Sequence, residues 1–281
     1  MHSVPHSDIR RLSLDAPLRN EVDAIAETAY YCWERGWADS SAGNISVDVT
    51  THLAQKSVDA GEYESVSLPA ANPVLAGRYF FVTARGARFR ELSHRPDETM
   101  LLVVITGTGQ EYHVLWGSAG NRVTSEFSTH CALHTTLRER DQSRGAVLHV
   151  HPQHLVALTH IPQYAAPGPL NELLWSMSPE VKMMLPDGVG FVPYACPGTQ
   201  ELADATGHAF SGQHLLVWEK HGCVACGADI HEAFDIIACA DKAAELFFLC
   251  RSAGFDPEGL TPQQIRELDA LHKRQRSKTG R

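Results

Sequence analysis

Short apolar runs set the limits on this fold. YFFVT (79–83), LLVVI (101–105), EYHVLWG (111–117), AVLHVH (146–151) and HLLVW (214–218) are bounded by turn chemistry, the pattern of buried or half-buried strands. TGTGQ joins the second run to the third as a hairpin. Between the runs lie helical stretches. Residues 17–36 space Val22, Ile25, Ala29 and Trp33 three or four apart and stop at Gly36, which predicts a helix. Others are expected over 125–140, after Pro152, from Pro197 or Gly198 to about 211, over 229–253 as the longest, and over 261–275. Residues 168–180 read as helical or irregular. MMLPDGVGFVPY reads as strand, turn and strand, and 50–77, rich in Ser, Ala, Pro and Gly, as a long surface loop. Together these predict an α/β fold: one domain in three layers, with a largely antiparallel central β-sheet flanked by helices. The domain is expected over 17–275, with a flexible N-terminal arm over 1–16 and a basic tail over 276–281.

Charge narrows the partners. Lys and Arg number 24 against 33 Asp and Glu, a net charge of −9, so neither nucleic acid nor an anionic membrane is expected. A small anionic substrate stays open, because a pocket can be basic on an acidic protein. No apolar run approaches the ~20 residues of a membrane span, and the N-terminus has no apolar signal core, so a cytoplasmic location is expected. The seven Cys, at 32, 131, 196, 223, 226, 239 and 250, are odd in number and scattered, which points to reduced thiols. That includes Cys223-Val-Ala-Cys226, which reads as small buried thiols.

Histidine carries the chemistry. His149 and His151 sit two apart on AVLHVH, so strand alternation puts both on one face about 7 Å apart. Two imidazoles there can converge on one zinc ion, although two ordinary half-buried His fit as well. His221 ends another apolar run and precedes Gly222, where a glycine lets the backbone approach a site. Three imidazoles with a fourth position open would make a catalytic zinc site rather than a closed structural one. Glu126, behind Thr124-Ser125 at a helix start, is either a capping carboxylate or one aimed at the metal. His130 and His134 follow at four-residue spacing, as a rival metal site or as supporting and packing residues. Ala42-Gly43-Asn44 and Thr83-Ala84-Arg85-Gly86 are turns whose backbone N–H groups can cradle a phosphate, or ordinary loops.

Several stretches in order resemble the class II aldolase/adducin family: AGNIS (42–46), FVTARGARFRE (81–91), YHVLWG (112–117), TSE (124–126), HVHPQHLVALT (149–159), LPDGVGFVPYACPGT (185–199) and LVWEKHG (216–222). The PDGVG and YHVLWG runs are similar to the branch acting on a rhamnulose phosphate rather than the shorter fuculose or ribulose branches. The resemblance implies a zinc-dependent retro-aldol cleavage of a ketose 1-phosphate. It implies His149, His151 and His221 as zinc ligands and Glu126 as the catalytic acid/base. Glu180 would be a second catalytic acid, reaching a neighbouring subunit's site in a homotetramer with sites at subunit interfaces. Gly43, Asn44, Thr124 and Ser125 would surround phosphate and metal, with Ser41, Arg85 and Gly86 in the phosphate region. At Ser41 and Arg85 a family member carries Asn and Ser, so the cation at 85 is a departure bearing on substrate choice. An epimerase, dehydratase or decarboxylase on the same zinc core, an adducin-like scaffold, and an unrelated metallohydrolase are the alternatives.

Overall fold

The structure is a computed structural model that describes residues 12–54, 56, 58–118, 120–140 and 144–279, with side chains to residue 274. The expected arm lies outside the described residues up to residue 11, and the tail lies outside them at 280–281 and in its side chains. In chain order the elements are α1 (Ala16–Glu34), β1 (Asn44–Asp48), α2 (Thr50–Leu53), β2 (Glu64–Ser67), β3 (Tyr79–Thr83), α3 (Phe89–Leu92), α4 (Pro96–Thr99), β4 (Met100–Thr106) and β5 (Glu111–Trp116). There follow α5 (Phe127–Glu139), β6 (Ala146–Val150), α6 (Gln153–Thr159), α7 (Pro167–Met177), α8 (Pro179–Met184), β7 (Gly190–Val192), α9 (Gln200–Ala209), β8 (Leu215–Trp218), β9 (Gly222–Gly227), α10 (Ile230–Ser252) and α11 (Pro262–Thr279).

The nine strands form one sheet in the order β2-β5-β4-β3-β1-β6-β9-β8-β7. Every pair is antiparallel except β7 with β8. Alternation sorts side chains to two faces. Ile45, Val47, Leu148, Val150, Cys223 and Ala225 pack against α1, α6, α7 and α10 through Ile25, Leu155, Leu174 and Ile237. Phe80, Val82, Val147, Leu216 and Val224 face the other way, onto Phe127 and Leu133 of α5 and Leu202 of α9. Helices thus cover both faces, giving the expected three layers. Each fully buried Leu or Phe contributes about 1.5–3 kcal/mol, so burial of these apolar faces holds the layers together. Asp15 and Asp229 cap the two long helices, accepting from Leu18 N at 3.4 Å and Glu232 N at 2.8 Å, which satisfies N–H groups the helices leave open.

The structure corrects three expectations. The 50–77 loop contains α2, two 3-10 turns and the strand β2, which pairs with β5 at the sheet edge. Its sequence, ESVS, has one apolar residue, so no period-2 signal marks it. MM of MMLPDGVGFVPY belongs to α8, started by Pro179, and only GFV forms a strand. Helix α9 starts at Gln200 rather than 197–198, because the Thr199 side chain accepts from Leu202 N at 3.3 Å and caps it there. Among the described residues no helix is long and apolar enough to cross a membrane.

Candidate metal centre and active site

Three strand ends meet beside the N-terminus of α5. Asn44 begins β1 directly opposite His149 near the end of β6. His149 is paired on its other side with Val224 of β9, and β8 and β9 are joined by the short loop 219–221 that carries His221. Lys220 holds that loop in a left-handed conformation, φ 58°, and its N–H is anchored on the Thr159 hydroxyl at 2.8 Å.

His149, His151 and His221 offer nitrogens that all lie within 4.8 Å of one another. The Nε2 atoms of His149 and His151 are 3.0 Å apart. His149 donates from Nδ1 to the Cys223 carbonyl at 2.8 Å, which leaves Nε2 with its lone pair toward the cluster. Burial lowers the pKa of all three rings, His149 well below its ordinary value and His221 to about 4. All three are therefore neutral donors at pH 7, the state a metal needs. Nδ1 of His221 is buried without a hydrogen-bond partner, so that nitrogen is tied to no protein acceptor. Trp218 stacks against His149 and His221 with ring centres 4.4 and 5.0 Å away. The donor chemistry and spacing fit a divalent metal ion on an open three-histidine site.

Glu126 sits at the N-cap position of α5, but its side chain makes no capping bond. It turns inward instead. Oε2 accepts from Asn44 Nδ2 at 2.7 Å and lies 3.3 Å from His149 Nε2, while Oε1 lies 3.8 Å from His221 Nε2. Burial raises its pKa, and the Asn44 hydrogen bond opposes that rise. The capping alternative is thereby set aside in favour of a carboxylate aimed at the cluster.

One cavity of about 340 Å³ gathers the expected residues: Ser41, Gly43, Asn44, Arg85, Gly86, Thr124, Ser125, Glu126 and the three histidines all line it. Gly43 is required by close approach. Its φ is +83°, and a Cβ there would meet His149 O at 3.1 Å and the Phe89 ring at 3.2 Å. Arg85 is exposed at the rim. Glu91 reaches toward Arg88 and Arg90, at 3.8 and 3.9 Å, so among the described residues Arg85 has no carboxylate partner. Glu180 is not in the cavity. It is exposed near the start of α8 and bonded to Ser178. The Cys223 and Cys226 side chains lie on opposite sheet faces, so they cannot share a metal or a disulfide. Their thiols are buried with raised pKa values, Cys226 to about 12. Trp218 and Ser46 were not singled out from sequence. Ser46 was findable, since it stands two residues after Asn44 on the same strand face.

Comparison with known proteins identifies the family. The pattern that defines the class II aldolase and adducin N-terminal domain matches residues 23–248. The chain belongs to the class II aldolase and adducin family. This aldolase is 33% identical over 254 residues to a rhamnulose-1-phosphate aldolase of Bacteroides thetaiotaomicron, covering 89% of this chain and 93% of that one. It is 32% identical over 260 residues to a rhamnulose-1-phosphate aldolase of Pectobacterium atrosepticum, covering 90% and 92%. Its fold is similar to a sugar-phosphate aldolase from Thermotoga maritima, with a TM-score of 0.74, 29% identity, and coverage of 87% of this chain and 100% of that one. The expected lyase assignment therefore stands. Class II aldolases are metal-dependent and act on sugar phosphates, and the histidine trio is a possible metal site in this one.

Proposed function

We propose that this aldolase cleaves a ketose 1-phosphate, foremost L-rhamnulose 1-phosphate, to dihydroxyacetone phosphate and L-lactaldehyde, with zinc on His149, His151 and His221. The observation that carries this is the convergence of three neutral imidazoles and the Glu126 carboxylate in one cavity with Arg85 at its rim. The near full-length similarity to rhamnulose-1-phosphate aldolases supports the choice of sugar.

When bound, zinc supplies a Lewis acid for the ketose carbonyl oxygen and for the negative charge left after the carbon–carbon bond breaks. The chain's own residues do the rest. His149, His151 and His221 would hold the metal through their neutral imidazoles. Gly43, Thr124, Ser125, Ser41 and the Arg85–Gly86 turn bind and orient the phosphate end. Glu126 carries the proton that returns to the carbon on the phosphate side, because its carboxylate faces the cavity beside the three histidines. Glu180 serves as acid for the aldehyde oxygen in a neighbouring subunit's site, within a cytoplasmic homotetramer.

Product analysis tests this. The purified enzyme is offered L-rhamnulose 1-phosphate, L-fuculose 1-phosphate and L-ribulose 5-phosphate. Release of dihydroxyacetone phosphate and lactaldehyde, with the highest kcat/KM on the rhamnulose substrate, is expected. Epimerised ribulose phosphate without cleavage products would refute the reading.

A further inference from the structure

Behind Glu126 lies a second set of polar side chains that the proposed chemistry does not use. Asn44 and Ser46 stand on one face of β1, a strand repeat of about 7 Å apart. Glu126, His130 and His134 follow along α5 at four-residue intervals, a rise of about 6 Å each. The two repeats match, so strand and helix close on each other as a polar seam inside an apolar layer. The seam is sealed: Asn44 is 5% exposed, Ser46 0%, His130 1% and His134 2%. The Phe80 ring, 4.7 Å from that of His134, packs against its far end.

Counting donors and acceptors fixes the direction of the seam. Glu126 accepts from Asn44 Nδ2 at 2.7 Å. Asn44 Oδ1 must then accept from His130 Nε2, 2.5 Å away, so that nitrogen carries the ring hydrogen. Burial keeps His130 neutral, with its pKa pushed down to about 3. Its Nδ1 is therefore bare and accepts from the Ser46 hydroxyl at 2.7 Å. The hydroxyl has a single hydrogen, so Ser46 Oγ accepts in turn from His134 Nε2 at 2.8 Å. Every orientation follows from the hydrogen on Nε2 of His130. If the Asn44 amide turned over, its carbonyl oxygen would face the Glu126 carboxylate. An amide is a poor proton relay, so the seam transmits orientation rather than charge.

We infer that His130, backed by Ser46 and His134, is a positioning residue that locks the Asn44 amide with its N–H toward Glu126 and so aims the carboxylate into the cavity. This rests on Glu126 being the proton carrier. His130 and His134 are thus not a rival metal site, because their inward nitrogens are engaged by Asn44 and Ser46.

The test compares two variants. His130→Gln keeps an N–H at the reach of Nε2, and His130→Leu fills similar space without one. Both are assayed with L-rhamnulose 1-phosphate, and their zinc content is measured. His130→Leu is expected to lower kcat about tenfold or more while KM stays within about threefold, since small misplacement of a catalytic group is that costly. Zinc content is expected to be unchanged, and His130→Gln to recover most of the rate. Equal losses in the two variants would overturn the proposal, as would loss of zinc with kcat per bound zinc preserved. If His130 acts only through Glu126, Glu126→Gln with His130→Leu is no slower than Glu126→Gln alone. A further tenfold loss in the double variant would sink the idea. Wild-type turnover in Glu126→Gln would instead sink the proton-carrier role on which the proposal rests, whereas a slow Glu126→Gln beside an unimpaired His130→Leu would sink only the positioning role. Should His130→Leu fail to fold, nitrogen-15 spectra of the histidine-labelled wild-type enzyme decide: His130 and His134 are expected as neutral Nε2–H tautomers, and an Nδ1–H form of His130 overturns the direction.

Discussion

A Cβ placed on Gly222 would lie 2.6 Å from Cδ2 of His151 and 2.6 Å from the Val150 carbonyl oxygen. The glycine after His221 is therefore what lets the β8–β9 turn close onto the end of β6. Both distances are well inside contact, and one is to backbone, so neither neighbour can yield without moving a candidate metal ligand. Gly222→Ala is expected to weaken metal affinity by about tenfold or more, in the range seen when the supports of metal ligands are lost. Titrating the chelator-treated variant with zinc measures this; wild-type affinity would show that the turn has slack.

Glu126→Gln separates ligand from proton carrier. The amide keeps the shape of the carboxylate and its contact with Asn44, while the three imidazoles remain. Zinc retention with kcat reduced by about 10²–10⁴-fold is the expected outcome, the usual share of a general acid–base group. Elemental analysis alongside steady-state kinetics checks it, and a variant that loses its zinc would make Glu126 mainly a ligand.

Arg85 tests the phosphate end. It is exposed at the cavity rim with no carboxylate partner among the described residues. Exposure places its contribution at the low end of charged hydrogen bonds, so Arg85→Ser is expected to raise KM about tenfold with a smaller effect on kcat. An unphosphorylated analogue is the control. A loss of equal size on that analogue would mean that Arg85 does not touch the phosphate.

Much of this was legible in the sequence because the histidines lie on strongly patterned elements. AVLHVH gave strand, face and spacing together, and the structure puts His149 and His151 side by side. Gly222 marked the close approach beside His221. The edge strand β2 stayed hidden because its pairing with β5, not its own pattern, makes it a strand. The role of Ser46 stayed hidden for a related reason. It depends on the match between strand and helix repeats, which appears only once β1 and α5 are known to face each other. Glu180 came from family resemblance alone, and it lies outside the cavity, bonded to Ser178.

Buried neutral histidines contribute to the loss of stability in acid. Burial lowers the His130 pKa to about 3 and that of His134 to about 4. Unfolded, both would titrate near 6.5. Below that value the unfolded chain binds protons that the folded chain does not, so stability is complete above pH 6.5 and falls as pH drops toward 4. The slope is at most about 1.4 kcal/mol per pH unit for each ring. Urea unfolding of chelator-treated enzyme at pH 7 and pH 5 measures it. His134→Gln, which keeps a donor for Ser46, is expected to flatten the slope by one ring's share; an unchanged slope would mean that His134 is already charged in the fold.

The most direct test of the metal-dependent cleavage is to count metal and follow turnover on the same preparation. Purified enzyme is analysed for zinc, assayed for release of dihydroxyacetone phosphate from L-rhamnulose 1-phosphate, stripped with a chelator, assayed again and reloaded. The expected result is about one zinc per three-histidine site, as an open catalytic centre of this kind binds, with activity lost on stripping and regained on reloading, and neither zinc nor activity in His149→Ala. A metal-free preparation that cleaves the substrate at full rate would contradict it.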